Sequence, residues 1–540
     1  MNSVIDIPDT ASAPVLKKIF TDLGLVCAAV VLFALSFPNV IAKGGIGTLG
    51  FFALVPIVVL VHRSNWASVW LYGFITGLLS YAVFNYWLLI FHPLAIFIVP
   101  AIYATYYLML FPCLKLAETL FPKYGYFVQT VIWLGYEYLR TKGFLGYSYG
   151  IIGYTQHSFL PLIQLASVTG VWGVSAFVAL PSFYIGNAVK RFSKLDAIGF
   201  LKSNTITAAV YGALFIIVII GGALSMRSYS EEPVWRVSLI QHNIDPWGNN
   251  IAYYESGLSA LETISDEALR DKPDIVVWSE TAFVPRIDFH LQHRLNREYY
   301  RLVRDLLAYL ERQSVPFLIG NDHAEGLVQD DAGRLDAADD YNASMLYIDG
   351  KRQDIYKKVH LVPFTENFPY EKILPWAYRM LREADTHFWA KGNRFTVFNA
   401  NGVRFSTPIC FEDTFGYLSR EFVRNGAQVI VNMTNDSWSG STVSMIQHMN
   451  MAVFRAIENR RSVVRAANGG LTCVIDPDGR ILAQLKTFTA DHLTYDVPLL
   501  FDGKTTLYTR FGDYLALAMV FSGIALLVFG VMRRLLRVKN

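Results

Sequence analysis

Eight apolar runs, each close to the length that crosses a lipid bilayer, constrain this chain more than any other feature. They cover roughly residues 19–38, 47–62, 68–91, 94–114, 125–141, 163–189, 204–225 and 513–532. A hydrocarbon core about 30 Å thick takes about 20 apolar residues in a helix. The stretch 226–507 is different, with short apolar strands alternating with charged segments. The expected division is a cytoplasmic tail over 1–18, seven transmembrane helices over 19–225, a soluble domain over 226–507, and a final helix with a basic cytoplasmic tail over 508–540. Hydrophobic residues make up 53% of the chain and mean hydropathy is +0.32, high for a soluble protein.

The first run follows Lys17-Lys18, as a signal peptide would, but no small-x-small cleavage site comes after it. It is read as an uncleaved span; Val26 is too large for Cys27 to begin a lipoprotein cleavage box. With the N-terminus inside, the inner segments carry Lys17, Lys18, Arg63, Lys115, Lys123, Lys190, Arg191, Lys194, Lys202, Arg533, Arg534, Arg537 and Lys539. The outer loops carry only Lys43, Arg140 and Lys142. That bias puts both ends in the cytoplasm and the soluble domain outside. A net charge of +3 suggests no nucleic-acid partner. The four cysteines, Cys27, Cys113, Cys410 and Cys473, have no metal-ligand spacing and make no disulfide framework, so no metal is expected.

Glu137, near the end of the fifth run, is expected to pair with Arg140. The Gly- and aromatic-rich segment 143–160 is too broken for a span and is expected at the interface, beneath the outer domain. Within 226–507, Val234–Gln241, Asp274–Trp278, Pro316–Gly320, Ser344–Ile348, Phe405–Ile409, Gln428–Asn432, Ser462–Ala467 and Cys473–Ile475 read as strands. Helical stretches intervene near 250–270 and 293–313, which predicts a layered α/β domain. Loops at the strand ends of such a sheet can project side chains into a cleft.

Two strand ends carry reactive groups, Glu280 and Cys410, and Lys358 lies between them in the chain, in Tyr356–Phe364. Only a thiolate is a strong nucleophile. A carboxylate can take the thiol proton, and an ammonium can steady an oxyanion. Taken singly, each reads as easily as a structural cysteine or a solvated charge.

The surrounding segments narrow the choice. Trp278-Ser-Glu280, Lys358-Val-His-Leu-Val-Pro-Phe-Thr-Glu366 and Cys410-Phe-Glu412 resemble the nitrilase superfamily and its Glu-Lys-Cys triad. More narrowly, His360–Phe364 with Glu366, Asn432-Met-Thr-Asn-Asp-Ser-Trp438 with Gly440, Gln447-His448, Arg455–Asn459 and Arg465–Thr472 resemble the apolipoprotein N-acyltransferase family. Ser36-Phe-Pro38, Ala53–Pro56 and Leu165–Ser175 extend the resemblance into the membrane part, so that it covers about 20–530.

The resemblance implies an α+β membrane protein: an eight-helix transmembrane bundle with an extracytoplasmic nitrilase-like α/β/β/α sandwich. It implies Glu280 as general base, Lys358 as oxyanion-side cation and Cys410 as nucleophile, with Glu366 and Glu412 supporting the site or orienting Lys358. Trp247 and Trp438 are candidate substrate-binding residues; the spacing of Trp247 from Gln241 departs from the family, and a packing role fits it equally. Phe411 stands where the family often has Tyr, and Ser439 where it often has Phe. His448 is read as structural or as a wall of the site. The implied reaction moves an acyl chain from a phospholipid through a Cys410 thioester to the α-amine of a diacylglyceryl-modified apolipoprotein. It needs no cofactor and takes place at the bacterial inner membrane, in a monomer. A membrane-tethered amidase or hydrolase using the same triad is the alternative. A transporter or scaffold fits less well, because the spans hold few ionisable residues.

Overall fold

A computed structural model describes residues 12–91, 94–192, 197–329, 335–383, 386–500 and 503–539. Lys194 and the first eleven residues of the expected tail lie outside them.

Among the described residues, five helices are long and apolar enough to cross a bilayer: Val15–Ser36, Ala95–Leu120, Val171–Val189, Asn204–Ser225 and Tyr514–Arg537. The other apolar runs fold as shorter pieces. Residues 47–62 form a 3-10 turn, Gly47–Phe51, and a helix, Val55–Arg63. Pro56 lies in the first turn of that helix, where its missing N–H is an orphan in any case. Residues 68–91 divide into Ser68–Phe84 and Leu88–Phe91, and the fifth run gives Gly125–Leu139. The run read as 163–189 is interrupted. Gly170 takes φ +67° against the Tyr508 ring, so short turns at Leu160–Ile163 and Ala166–Thr169 precede the long helix Val171–Phe192.

Helix–helix packing in lipid relies on close backbone approach. Helix Ser68–Phe84 achieves it with Gly73 and Gly77, four residues apart on one face. A Cβ on Gly73 would lie 2.6 Å from the Tyr107 carbonyl oxygen, and one on Gly77 would lie 2.7 Å from that of Tyr103. The Tyr81 ring then stacks on Tyr103, centroids 3.4 Å apart.

Glu137 does not pair with Arg140. Its carboxylate accepts from the Ile152 N–H at 2.8 Å and from the Ser175 hydroxyl. Arg140 donates instead to the Tyr103 hydroxyl (2.6 Å) and to the carbonyls of Tyr147 (2.9 Å) and Tyr149 (2.8 Å). Residues three apart on a helix end would be neighbours, but each finds unpaired backbone groups of segment 143–160 to satisfy. That segment is thereby pinned against the helices.

The remainder is two facing six-stranded sheets. The strands are β1 Val234–Gln241, β2 Ile275–Val277, β3 Phe317–Glu325, β4 Val328–Gln329, β5 Leu335–Asp336, β6 Asp339–Ile348 and β7 Lys351–Lys357. They continue as β8 Val397–Ala400, β9 Val403–Ser406, β10 Val429–Thr434, β11 Ser462–Ala467, β12 Cys473–Ile475, β13 Ile481–Gln484 and β14 Asp491–Pro498. One sheet has the order β14-β1-β2-β3-β6-β7 and the other β13-β12-β11-β10-β9-β8, while β4 and β5 form a separate hairpin. Side chains alternate across each strand. Trp235, Val237 and Leu239 of β1 enter the core between the sheets, where Trp235 meets Phe405 of β9 at 5.2 Å. Ile240 faces the other way, toward helices Ile251–Leu269 and Arg297–Glu311.

Helices Gly416–Arg424 and Thr442–Asn459 accompany the second sheet. The latter is buried along nearly its whole length, as a helix enclosed on all sides must be. Its other face meets the membrane part. The Gln447 amide donates to the Pro38 carbonyl (2.9 Å) and accepts from the Trp87 indole (3.1 Å). Phe454 packs edge-on to Tyr154, and Glu458 accepts from the Val171 N–H at 3.1 Å.

Gly77→Val should force helix Ser68–Phe84 away from Ala95–Leu120. A cost of about 1–3 kcal/mol is expected for such overpacking, read as a lower unfolding temperature of the detergent-solubilised protein by size-exclusion thermal shift.

Candidate active site

The loops that follow β2, β7, β9 and β10 meet at one end of the sandwich. Glu280 follows β2, Lys358 follows β7, Cys410 follows β9 and Asn435 follows β10. The first two strands belong to one sheet and the last two to the other, so the cluster is assembled across the sandwich.

Lys358 is fully buried. Its Nζ donates to Glu366 Oε1 at 2.8 Å and to Glu280 Oε1 at 3.3 Å. Burial alone would lower its pKa, but the Glu366 and Glu280 carboxylates outweigh burial and raise it, so the ammonium keeps its charge. Glu280 Oε1 also accepts from the Asn342 amide (2.8 Å), and Oε2 accepts from the Asn435 N–H (2.9 Å). Glu366 Oε2 accepts from the Val362 N–H at 2.9 Å. Burial raises the Glu366 carboxyl, and Lys358 pulls it back.

Cys410 opens a tight 3-10 turn, Cys410–Thr414, at φ +50°. This left-handed conformation is uncommon for a residue with a Cβ, and it turns the side chain off the strand axis. The Asn432 amide holds the turn through the carbonyls of Pro408 (3.1 Å) and Cys410 (3.3 Å). Burial pushes the thiol pKa well up, the Glu280 charge pushes it further, and Lys358 opposes both. At rest the group is a thiol.

Glu412 is buried behind the turn and joins the two sheets. It accepts from the N–H groups of Ile409 (2.8 Å), Val359 (2.8 Å) and His360 (2.9 Å), and the Tyr356 hydroxyl reaches both of its oxygens. Burial pushes its carboxyl up to about 7, against the pull of the Ile409 N–H and the Lys358 charge.

A second buried cluster lies beside Cys410. His448 donates from Nε2 to Asp413 Oδ1 (2.7 Å) and from Nδ1 to Asp436 Oδ1 (2.8 Å). Arg465 also reaches both carboxylates, and its Nη2 lies 3.2 Å from Asp436 Oδ2 and 3.5 Å from His448 Nδ1. Burial alone would lower the His448 pKa, yet the two carboxylates push it up to about 9. Burial alone would raise Asp436, yet His448 and Arg465 pull it down to about 2. A ring held by two carboxylates has no free nitrogen for Cys410, so His448 is not its base.

Cys410 faces an apolar cleft of about 200 Å³. Its walls come from both parts of the molecule: Trp87 and Leu94 from turns beside the membrane helices, Ile98 and Ile102 from helix Ala95–Leu120, Tyr147 and Tyr149 from segment 143–160, and Phe364, Phe411 and Trp438 from the sandwich. Trp438 meets the exposed Trp247 edge-on, centroids 4.5 Å apart, so both tryptophans stand at one rim. Phe411 lies parallel to Tyr147 and packs edge-on to Phe415, an apolar setting that asks for no hydroxyl. Ser439, beside Trp438, turns its hydroxyl back to the Asp436 carbonyl at 2.9 Å.

Glu280, Lys358, Glu366, Cys410 and Glu412 are therefore brought together. Asn342, Tyr356, Asp413, Asn435, Asp436 and Arg465 were given no role at the site from the sequence, although the motifs Asn432–Trp438 and Arg465–Thr472 contain three of them. One signal was available: Asn435-Asp436 ends an apolar strand, as Glu280 and Cys410 do. Among the described residues no group of acidic, histidine and cysteine side chains could hold a metal ion.

The His448 cluster carries a stability signature in pH. A histidine whose folded pKa is raised from about 6.5 to about 9 stabilises fully below about 6.5 and loses that contribution as pH rises through 9. Asp436 acts in the opposite sense, its contribution being lost as pH falls toward 2. The unfolding midpoint of the purified protein should therefore decline between about pH 7 and 9.5, and His448→Gln should flatten that limb.

Residues 236–500 match the family model for carbon-nitrogen hydrolases, and residues 29–184 match that for the apolipoprotein N-acyltransferase N-terminal domain. Apolipoprotein N-acyltransferase 1 of Treponema denticola is 42% identical over 92% of this chain and 94% of its own length. Apolipoprotein N-acyltransferase 1 of Treponema pallidum is 41% identical over 95% and 96%. Among solved structures, a Cys-to-Ala variant of an amidase of the nitrilase superfamily from Nesterenkonia AN1 aligns with 49% of this chain and 90% of that chain. The identity is 18% and the TM-score 0.35.

Proposed function

The chain belongs to the apolipoprotein N-acyltransferase family and is an enzyme of lipoprotein N-acylation, and on that premise we propose that Cys410 carries the acyl group between two lipid substrates. The observation that carries the reading is the cleft at Cys410. It is apolar, it is shared between the sandwich and the membrane helices, and Glu280 and Lys358 lie behind the nucleophile.

In the first half-reaction an acyl chain of a bilayer phospholipid lies in the cleft. Because the resting group is a thiol, Glu280 takes the Sγ proton as sulfur attacks the ester carbonyl carbon. The Lys358 ammonium faces the oxygen that gains charge, in a site dry enough for one ammonium to count. The C–O bond breaks, Glu280 returns the proton to the departing glycerol oxygen, and a lysophospholipid leaves an acyl-Cys410 thioester. In the second half, the α-amine of the diacylglyceryl-modified N-terminal cysteine attacks that thioester. Glu280 takes the amine proton, the C–S bond breaks, and the proton returns to sulfur as the amide forms. The scheme is ping-pong. Glu366 holds Lys358, Glu412 holds the nucleophile turn against the end of β7, and Trp247 and Trp438 border substrate entry. The chain is proposed to act as a monomer.

For topology we propose eight passes at the bacterial inner membrane, with domain limits at 19–225, 226–507 and 508–540 and the sandwich on the periplasmic side. The Lys and Arg bias supports this arrangement.

Incubation with phospholipid and no acceptor should add one acyl chain to the intact protein, removable by hydroxylamine. Cys410→Ala should show no adduct, and Glu280→Gln should form it at least about 100-fold more slowly, the usual worth of a general base. Free fatty acid accumulating without an adduct would favour the hydrolase, and turnover retained in Cys410→Ala would refute the assignment. For topology, an impermeant maleimide should label Glu267→Cys in spheroplasts of a Cys410→Ala background and leave Lys539→Cys unlabelled until the membrane is opened.

A further inference from the structure

We propose that His448 is a positioning and charge-balancing residue for acylation of Cys410: an imidazolium that locks the nucleophile turn to the loop that fixes the base. The inference rests on the acyl-transfer reading above. Asp413 is three residues beyond Cys410, in the same 3-10 turn. Asp436 adjoins Asn435, whose N–H holds Glu280 Oε2 at 2.9 Å. His448 reaches the first with one ring nitrogen and the second with the other, at 2.7 and 2.8 Å. With both carboxylates ionised beside Arg465, whose Nη2 also lies 3.5 Å from His448 Nδ1, two acceptors call for two N–H donors and hence for the charged ring. Its helix, Thr442–Asn459, lies between the second sheet and the membrane part, so the bridge is mounted on a helix buried along nearly its whole length.

The charges also balance. Asp413, Asp436, His448 and Arg465 sum to zero, all lie out of water, and the Tyr149 ring lies tilted beside the imidazole, centroids 6.3 Å apart. Loss of the imidazolium would leave two carboxylates sharing one guanidinium beside a thiol that must give up a proton and beside a developing oxyanion. Both steps would be opposed at the distance where an unscreened charge counts most. A filler histidine, by contrast, would be replaceable by any side chain of similar shape.

Acylation of Cys410 by phospholipid, followed as intact mass in single turnover, separates these roles. His448→Gln, which is uncharged and carries both its N–H groups on one nitrogen in place of donors at two ring positions, should acylate about 100-fold more slowly, the loss expected when reacting groups are misplaced, with phospholipid KM changed less than threefold. Adding Asp436→Asn to His448→Gln removes the excess negative charge and should restore at least tenfold. A His448→Gln rate within threefold of wild type would overturn the inference, as would a double variant no faster than the single one. Should His448→Gln fail to fold, the neutral double variant is compared directly with wild type, and a rate below one tenth of wild type overturns it. Failure of wild type itself to form the adduct would refute the acyl-transfer reading instead.

Discussion

The site is built around an ammonium that has no water. Lys358 is fully buried, and a buried charge persists only when it is paired and hydrogen-bonded. Glu280 and Glu366 pair it, and each is itself completed by donors: Asn342 and the Asn435 N–H for one, the Val362 N–H for the other. These partners come from β6, from the loop after β10 and from the turn after Lys358, so satisfying one cation draws both sheets together at a single end. Two carboxylates against one ammonium leave the cluster negative. The Glu280 charge adds to burial in holding the Cys410 thiol pKa up.

Glu412 and the His448 cluster extend the same logic. Each places a buried charge where strand ends must meet, and each charge finds donors or counter-charges from the opposite side of the site. Such interactions contribute little net stability once desolvation is counted. Their value lies in specifying one arrangement, since any slip leaves a charge unpaired in an apolar interior.

The helix Thr442–Asn459 decides how the sandwich meets the membrane part. Gln447, Phe454 and Glu458 touch the membrane helices and their loops, while the helix's other face packs on β11 and the nucleophile turn. Segment 143–160, fastened below by Arg140 and Glu137, supplies Tyr147 and Tyr149 to the cleft. The apolar cleft at Cys410 thus belongs to neither part alone.

The sequence by itself determined the division into membrane runs and a strand-rich domain, because hydrocarbon length and side-chain alternation are local properties. It also marked Glu280 and Cys410 as reactive groups at strand ends, and linked motifs tied them and Lys358 to one family. Tertiary structure decided what distant groups do to one another. The run 163–189 is broken because Gly170 lies against Tyr508, more than 330 residues away. Glu137 ignores its helical neighbour Arg140 because backbone groups of a later loop need an acceptor and carbonyls need a donor. His448 is held between Asp413 and Asp436, and their closeness depends on how two sheets pack. Periodicity and motif carry no information about such pairs, since burial and the search of buried charges for partners act through space.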